Sequence, residues 1–123
     1  MLPDRNFTDG LDTIRQINPV FFKYNGKAGY PDDGQEHVGV IAQEAQPHAP
    51  YMFEIVPTKL NEDDDEETDL LTYDSTALTY ILVNAVKEQQ KIIEALQNEQ
   101  ATTRQQLEGV LARLELLEAA ASK

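Results

Sequence analysis

"LVNAVKEQQKIIEALQNEQATTRQQLEGVLARLELL", residues 82–117, decides the architecture. Its apolar side chains recur at alternating steps of four and three. One set is Val86, Ile93, Gln100, Leu107 and Leu114; the other is Leu82, Gln89, Leu96, Thr103, Val110 and Leu117. Eight of these eleven are aliphatic. A repeat sustained over about five heptads is the seam of a coiled coil, not the wider stripe of a helix packed into a globular core. No proline follows Pro57, and Asp74 or Ser75 stands where an N-cap belongs. The spacing therefore predicts one continuous helix over 75–121. At ~1.5 Å per residue it runs roughly 65–70 Å, too long for the preceding residues to bury. The seam needs other chains.

Flanking charges suggest how those chains lie. With Val86 at heptad position a, Glu99 falls at g and Arg104 at the e position five residues on. Arg113 and Glu118 repeat the relation with the signs reversed. In a parallel, in-register coil, g of one chain faces e of its neighbour's next heptad, so both pairs attract. Each exposed pair contributes only about 0.2–1 kcal/mol, enough to favour an orientation. Val83, Ile92 and Leu111 widen the apolar face at e and g; three strands cover them where two leave them wet. Gln89, Gln100 and Thr103 interrupt the core and fix register at some cost in stability. The expectation is a parallel homotrimer. A plain trimeric structural stalk or adhesin tip is the alternative that also explains this helix.

Composition narrows the function classes. The 123 residues carry 22 acidic against 10 basic side chains, a net charge of -12, and no cysteine. Disulfides and thiolate metal sites are therefore out of reach. Phosphate backbones and anionic lipid surfaces both repel such a chain, so neither nucleic acid nor membrane is an expected partner. No apolar run approaches the ~20 residues that span a bilayer, and no charged-then-apolar signal segment opens the sequence. No cofactor is expected.

Residues 1–74 read as a small α+β head, and residues 75–123 as the stalk. Leu11, Ile14 and Ile17 predict a short helix capped by Thr8 or Asp9 and ended before Pro19. Val20 to Tyr24 and Val38 to Ala42 read as two strands pairing as a hairpin across a long loop that Asn25-Gly26 opens. Val20, Phe22, Val38, Val40 and Ile41 are the candidate head core. The second strand passes straight into Gln43-Glu44-Ala45, a short helix ended by Pro47 and Pro50, with Gly39 allowing close backbone approach. Tyr73 and Tyr80 are expected to pack the long helix onto the head. His37 and His48 are single and eleven residues apart, so they read as surface histidines, not metal ligands.

Residues 57–74 read as an acidic loop. Residues 61–69 hold seven acids in nine positions, a block that repels itself and favours a solvated, mobile segment. A calcium loop fails because Glu67 and Thr68 stand where its glycine belongs. No metal site is expected.

Three blocks in this order, "GLDTIRQINPVFFKYNG", "HVGVIAQEAQPHAP" and "LLTYDSTALTYILVNAVKEQQKII", resemble the C-terminal intramolecular chaperone domain of phage tailspikes, endosialidases and tail fibres. The same module occurs in a membrane-anchored myelin regulatory factor family. The resemblance runs from about Phe7 to Ile93. It implies a domain that trimerises, promotes folding and assembly of an upstream fibre, and is then released by self-cleavage. It also implies a phage virion precursor made in the host cytoplasm. In the family, a passage like "VGVIAQEA" joins a core strand to a short helix beside the trimer axis. Gln43 and Glu44 would then cap that helix or bond across the subunit contact, or else be ordinary exposed residues of its first turn. The acidic residues Asp63, Asp64, Asp65, Glu66 and Glu67 are expected to face the client fibre.

Self-cleavage in the family uses a Ser-Lys dyad in a motif of the form S-D-x-R-x-K, the lysine taking the serine's proton. Aligning on Asp4-Arg5 puts Pro3 at the serine and Phe7 near the lysine. Aligning on Phe7 and Gly10 puts the lysine near Met1 and the serine before it. The chain's serines are Ser75 and Ser122, neither in the motif. The expectation is a chain with no catalytic residues, whose parent is a self-cleaving serine endopeptidase if the dyad lies upstream.

Overall fold

The computed structural model describes residues 1–122 and resolves two compact units, Met1–Val86 and the chain from Lys87 onward. The first unit is α+β. Its elements are helix α1 (Leu11–Ile14), strands β1 (Pro19–Phe22) and β2 (His37–Val40), helix α2 (Ala42–Ala45), a 3-10 turn at Pro50–Met52, strands β3 (Phe53–Thr58) and β4 (Thr68–Tyr73), and the first turns of helix α3 (Thr76–Ala121). Two antiparallel hairpins, β1–β2 and β3–β4, stand as separate two-stranded sheets. The second unit is the remainder of α3.

The core lies away from where the strand-rich runs pointed. Ala49, Met52 and Ile81 are buried together, with Ile14, Ile17, Phe53, Ala77 and Leu78 packed around them; Ala45 and Ala85 are buried as well. Ala49, in the segment after α2, shares this cluster with Ile81 of α3. Of the expected core residues, Val20, Phe22 and Val40 are half-buried, while Val38 is 69 % exposed and Ile41 is 40 % exposed. Ile41 lies outside the strand as the N-cap of α2, and strand alternation explains Val38. Phe21 pairs with Val38 and Pro19 with Val40 on one face; Val20 pairs with Gly39 and Phe22 with His37 on the other. A two-stranded sheet with apolar side chains on both faces leaves one bare. On the covered face the Phe22 ring lies over Gly39, where a Cβ would come within 2.9 Å of it.

Helix α1 is shorter than the predicted 11–17. Its N-cap is Gly10, with no side-chain cap from Thr8 or Asp9. Tight turns follow it, Gln16 N–H to Thr13 O at 3.0 Å and Ile17 N–H to Ile14 O at 3.1 Å, and bring Ile14 and Ile17 to the core. Helix α2 begins directly after β2, as the abrupt switch in sequence implied. Its N-cap is Ile41, without a side-chain hydrogen bond.

The expected loop over 57–74 is irregular only at 59–67 and at Asp74; Pro57–Thr58 and Thr68–Tyr73 are strand. Six pairs, from Phe53↔Tyr73 to Thr58↔Thr68, make a hairpin of β3 and β4. Alternating Thr68, Leu70 and Thr72 are good strand formers that the acidic block obscures. Pro57 is tolerated because both strands are edges. The Asp74 N–H donates to Met52 O at 2.8 Å and closes the hairpin's base on the core.

Helix α3 begins as the capping pattern predicts. The Asp74 carboxylate accepts from the Thr76 N–H at 2.9 Å and from the Thr76 hydroxyl at 2.6 Å. Ala77, Leu78, Ile81 and Ala85 form the stripe that meets the core. Tyr80 lies off that stripe and is 61 % exposed, so it does not pack the helix down. Tyr73 instead packs within its hairpin, its ring 5.5 Å from that of Phe53.

Candidate functional site

The apolar residues of the α3 seam are exposed. In the first unit, Leu82 and Val86 are exposed on the flank away from Ile81. In the second, Ile93, Leu96, Leu107, Val110, Leu114 and Leu117 are all exposed, Leu96 by 57 % and Leu117 by 68 %. Gln89, Gln100 and Thr103 share that exposure. Successive turns bring Leu96, Gln100, Thr103 and Leu107 to one exposed side of α3, with Glu99 and Arg104 beside them. That is the arrangement a heptad repeat dictates on a regular helix. Among the described residues, Glu99, Arg104, Arg113 and Glu118 form no ion pair within their own chain. Their charges remain available to a neighbour.

The acidic block is the tip of the β3–β4 hairpin. Asp63, Asp65, Glu66 and Glu67 are exposed, and Asp64 is half-buried. The Asp64 carboxylate accepts from the Asn61 N–H at 3.0 Å, and the Asp64 N–H donates to Asn61 O at 3.1 Å. This local turn lets Thr58 and Thr68 pair while the remaining carboxylates point into solvent. Ala28 N–H donates to Leu60 O at 3.0 Å, tying the base of the tip to the β1–β2 loop. Among the described residues, no group of three or more His, Asp or Glu side chains could hold a metal ion.

His48 is exposed, but His37 is not the free surface histidine the sequence suggested. Its ring lies tilted against those of Phe22 at 5.5 Å and Tyr24 at 5.0 Å, and its Nε2 is buried without a hydrogen-bond partner. Ser122 donates its hydroxyl to Ala119 O at 3.0 Å, and the Ser75 carbonyl accepts the Leu78 N–H at 3.0 Å in the first turn of α3. Gln43 and Glu44 lie exposed in α2. Among the described residues, no helix is long and apolar enough to cross a membrane.

Sequence reasoning missed a further set, Asp9, Tyr51 and Asn84. The Asn84 carboxamide donates to Phe7 O and to Asp9 O, both at 2.9 Å, and the Tyr51 hydroxyl donates to the Asp9 carboxylate at 2.7 Å. A polar residue opposite the seam looks like part of a solvated face. Its partners lie more than seventy residues away, so no local pattern marks it.

Residues 3–54 match the chaperone of endosialidase family. The matched segment runs from the N-terminal segment through α1, β1, β2, α2 and the 3-10 turn into the start of β3. It supports an intramolecular chaperone role. It stops short of the acidic tip and of α3, so it is narrower than the resemblance from Phe7 to Ile93. The family is one of self-cleaving peptidases, and no serine occurs between residues 3 and 54 of this chain. A comparison with curated proteins gave no match.

Proposed function

We propose that the chain is an intramolecular chaperone acting as a parallel homotrimer on the fibre or tailspike polypeptide that precedes it. The observation that carries this reading is the seam of α3, whose leucines, isoleucine and valines are about half exposed or more in the single chain. Fully burying an exposed side chain of this kind contributes about 1.5–3 kcal/mol, and covering the exposed half of one contributes a share of that. Three strands also cover Val83, Ile92 and Leu111, and a parallel register brings Glu99 to Arg104 and Arg113 to Glu118 of a neighbour.

Chaperoning follows from kinetics. Upstream strands that pair between chains fold slowly because their contacts are non-local, whereas a coiled coil forms from local contacts. Joining three C-terminal ends raises the effective concentration of the upstream segments to the millimolar range. In this reading the acidic tips at Asp63–Glu67 face the client, and release by self-cleavage belongs to a parent carrying the Ser-Lys dyad. The test is to express the parent fibre with and without residues 61–69, and with and without the part of α3 from Lys87 onward. Deleting the tip should lower the yield of mature fibre while leaving this segment trimeric; deleting α3 from Lys87 onward should abolish assembly. Normal fibre yield without either would reduce the segment to a stalk.

A further inference from the structure

Residues 7–10 have no regular secondary structure, yet three hydrogen bonds and a ring contact from Asn84 and Tyr51 pin them. Both protons of one carboxamide nitrogen, that of Asn84, are taken up by two carbonyls of this segment. The Tyr51 hydroxyl holds the Asp9 side chain, and the Tyr51 ring meets the Phe7 ring edge-to-face at 5.2 Å. By contrast, residues 1–6 are all exposed, and their salt bridge, Arg5 to Asp4 at 3.1 Å, joins two solvent-facing neighbours. The boundary between loose and anchored chain falls at Phe7.

We propose that Asn84 and Tyr51 form a junction clamp. It fixes Phe7 to Gly10 against the first unit, so that polypeptide N-terminal to Phe7 leaves that unit from one defined point. Asn84 suits the task because its amide supplies two donors at a fixed angle; a serine could satisfy only one carbonyl. It sits on α3 between Leu82 and Val86 in sequence but on the other flank of the helix. Whatever covers the seam at that turn thereby also sets the position of the junction. The clamp is a positioning device and requires no particular number of chains. Burial, the hydrogen bond to Asp9 and the Asp9 charge all push the Tyr51 phenol far above its ordinary range, which keeps it protonated and donating at every physiological pH.

Asn84→Asp keeps the shape, removes both donors and sets a carboxylate against two carbonyls. A nitroxide on Thr8→Cys, the only thiol in this cysteine-free chain, reports motion of the segment directly. Chymotrypsin reports its opening through cleavage after Phe7. The expected result for Asn84→Asp is a mobile label and cleavage about thirtyfold faster, the loss of two hydrogen bonds, with near-ultraviolet dichroism still that of a folded core. Tyr51→Phe, which keeps the ring contact and loses only the hydroxyl, should speed cleavage about fivefold and serves if Asn84→Asp does not fold. A folded Asn84→Asp variant with an immobile label and unchanged cleavage would overturn the clamp, and so would an unchanged rate in Tyr51→Phe.

Discussion

Leu96→Ala and Leu116→Ala form a matched pair that separates a self-contained helix from an assembled one. Both leucines are largely exposed in the single chain, Leu96 by 57 % and Leu116 by 71 %. If α3 stood alone, either truncation would change stability by no more than about 0.5 kcal/mol, as at ordinary surface sites. In the proposed coil Leu96 lies at a d position inside the seam, whereas Leu116 lies at c and stays wet. Truncating a covered leucine costs about 2 kcal/mol or more, and the substitution acts in three chains at once. The trimer therefore loses about 6 kcal/mol, roughly four powers of ten in its association constant. Because that constant scales with the square of concentration, the dissociation midpoint of Leu96→Ala should rise about a hundredfold. Leu116→Ala should leave it where it was. Sedimentation equilibrium across a dilution series, with far-ultraviolet dichroism in parallel, measures both. Superimposable curves for the two variants would refute the seam.

Ile81 is fully buried in the core of the first unit, so Ile81→Ala should cost about 2–5 kcal/mol in urea unfolding; a loss below about 1 kcal/mol would misplace the core. Asp74 is held below the usual carboxylate range, chiefly by the Thr76 hydroxyl and then by the Thr76 N–H. A depressed folded-state value contributes stability above the unfolded pKa of about 3.9 and loses it as pH falls through the folded one. Wild type should therefore exceed Asp74→Asn in urea midpoint at neutral pH and lose that advantage as pH falls below the unfolded value. An advantage that persists in acid would show that the Asp74 charge is not the cause. Leu117→Cys should form a disulfide between identical positions of two chains if they run parallel and in register. Failure to cross-link under oxidation would argue for an antiparallel arrangement.

The long helix was legible because a heptad repeat is a local signal and Asp74 caps its start. The strand-to-helix switch at Val40–Ala42 was legible for the same reason, since a change of period needs no knowledge of neighbours. The core was not. Val38 looks like a core residue, but a two-stranded sheet has no second layer for its outer face, and Ala45 and Ala49 give no hydrophobic signal of their own. The β3–β4 hairpin was masked because seven acids dominate the composition around Thr68–Thr72. Asn84, Tyr51 and Asp9 come together only after the chain folds, through pairs forty or more residues apart. Such contacts leave no trace in spacing.

The account stands on the mass of this chain in solution, measured by light scattering at micromolar concentration and near-neutral pH. It predicts three times the mass of one chain, held on dilution until the helix signal falls with it. A single-chain mass, or a stable pair, with α3 still helical would contradict it.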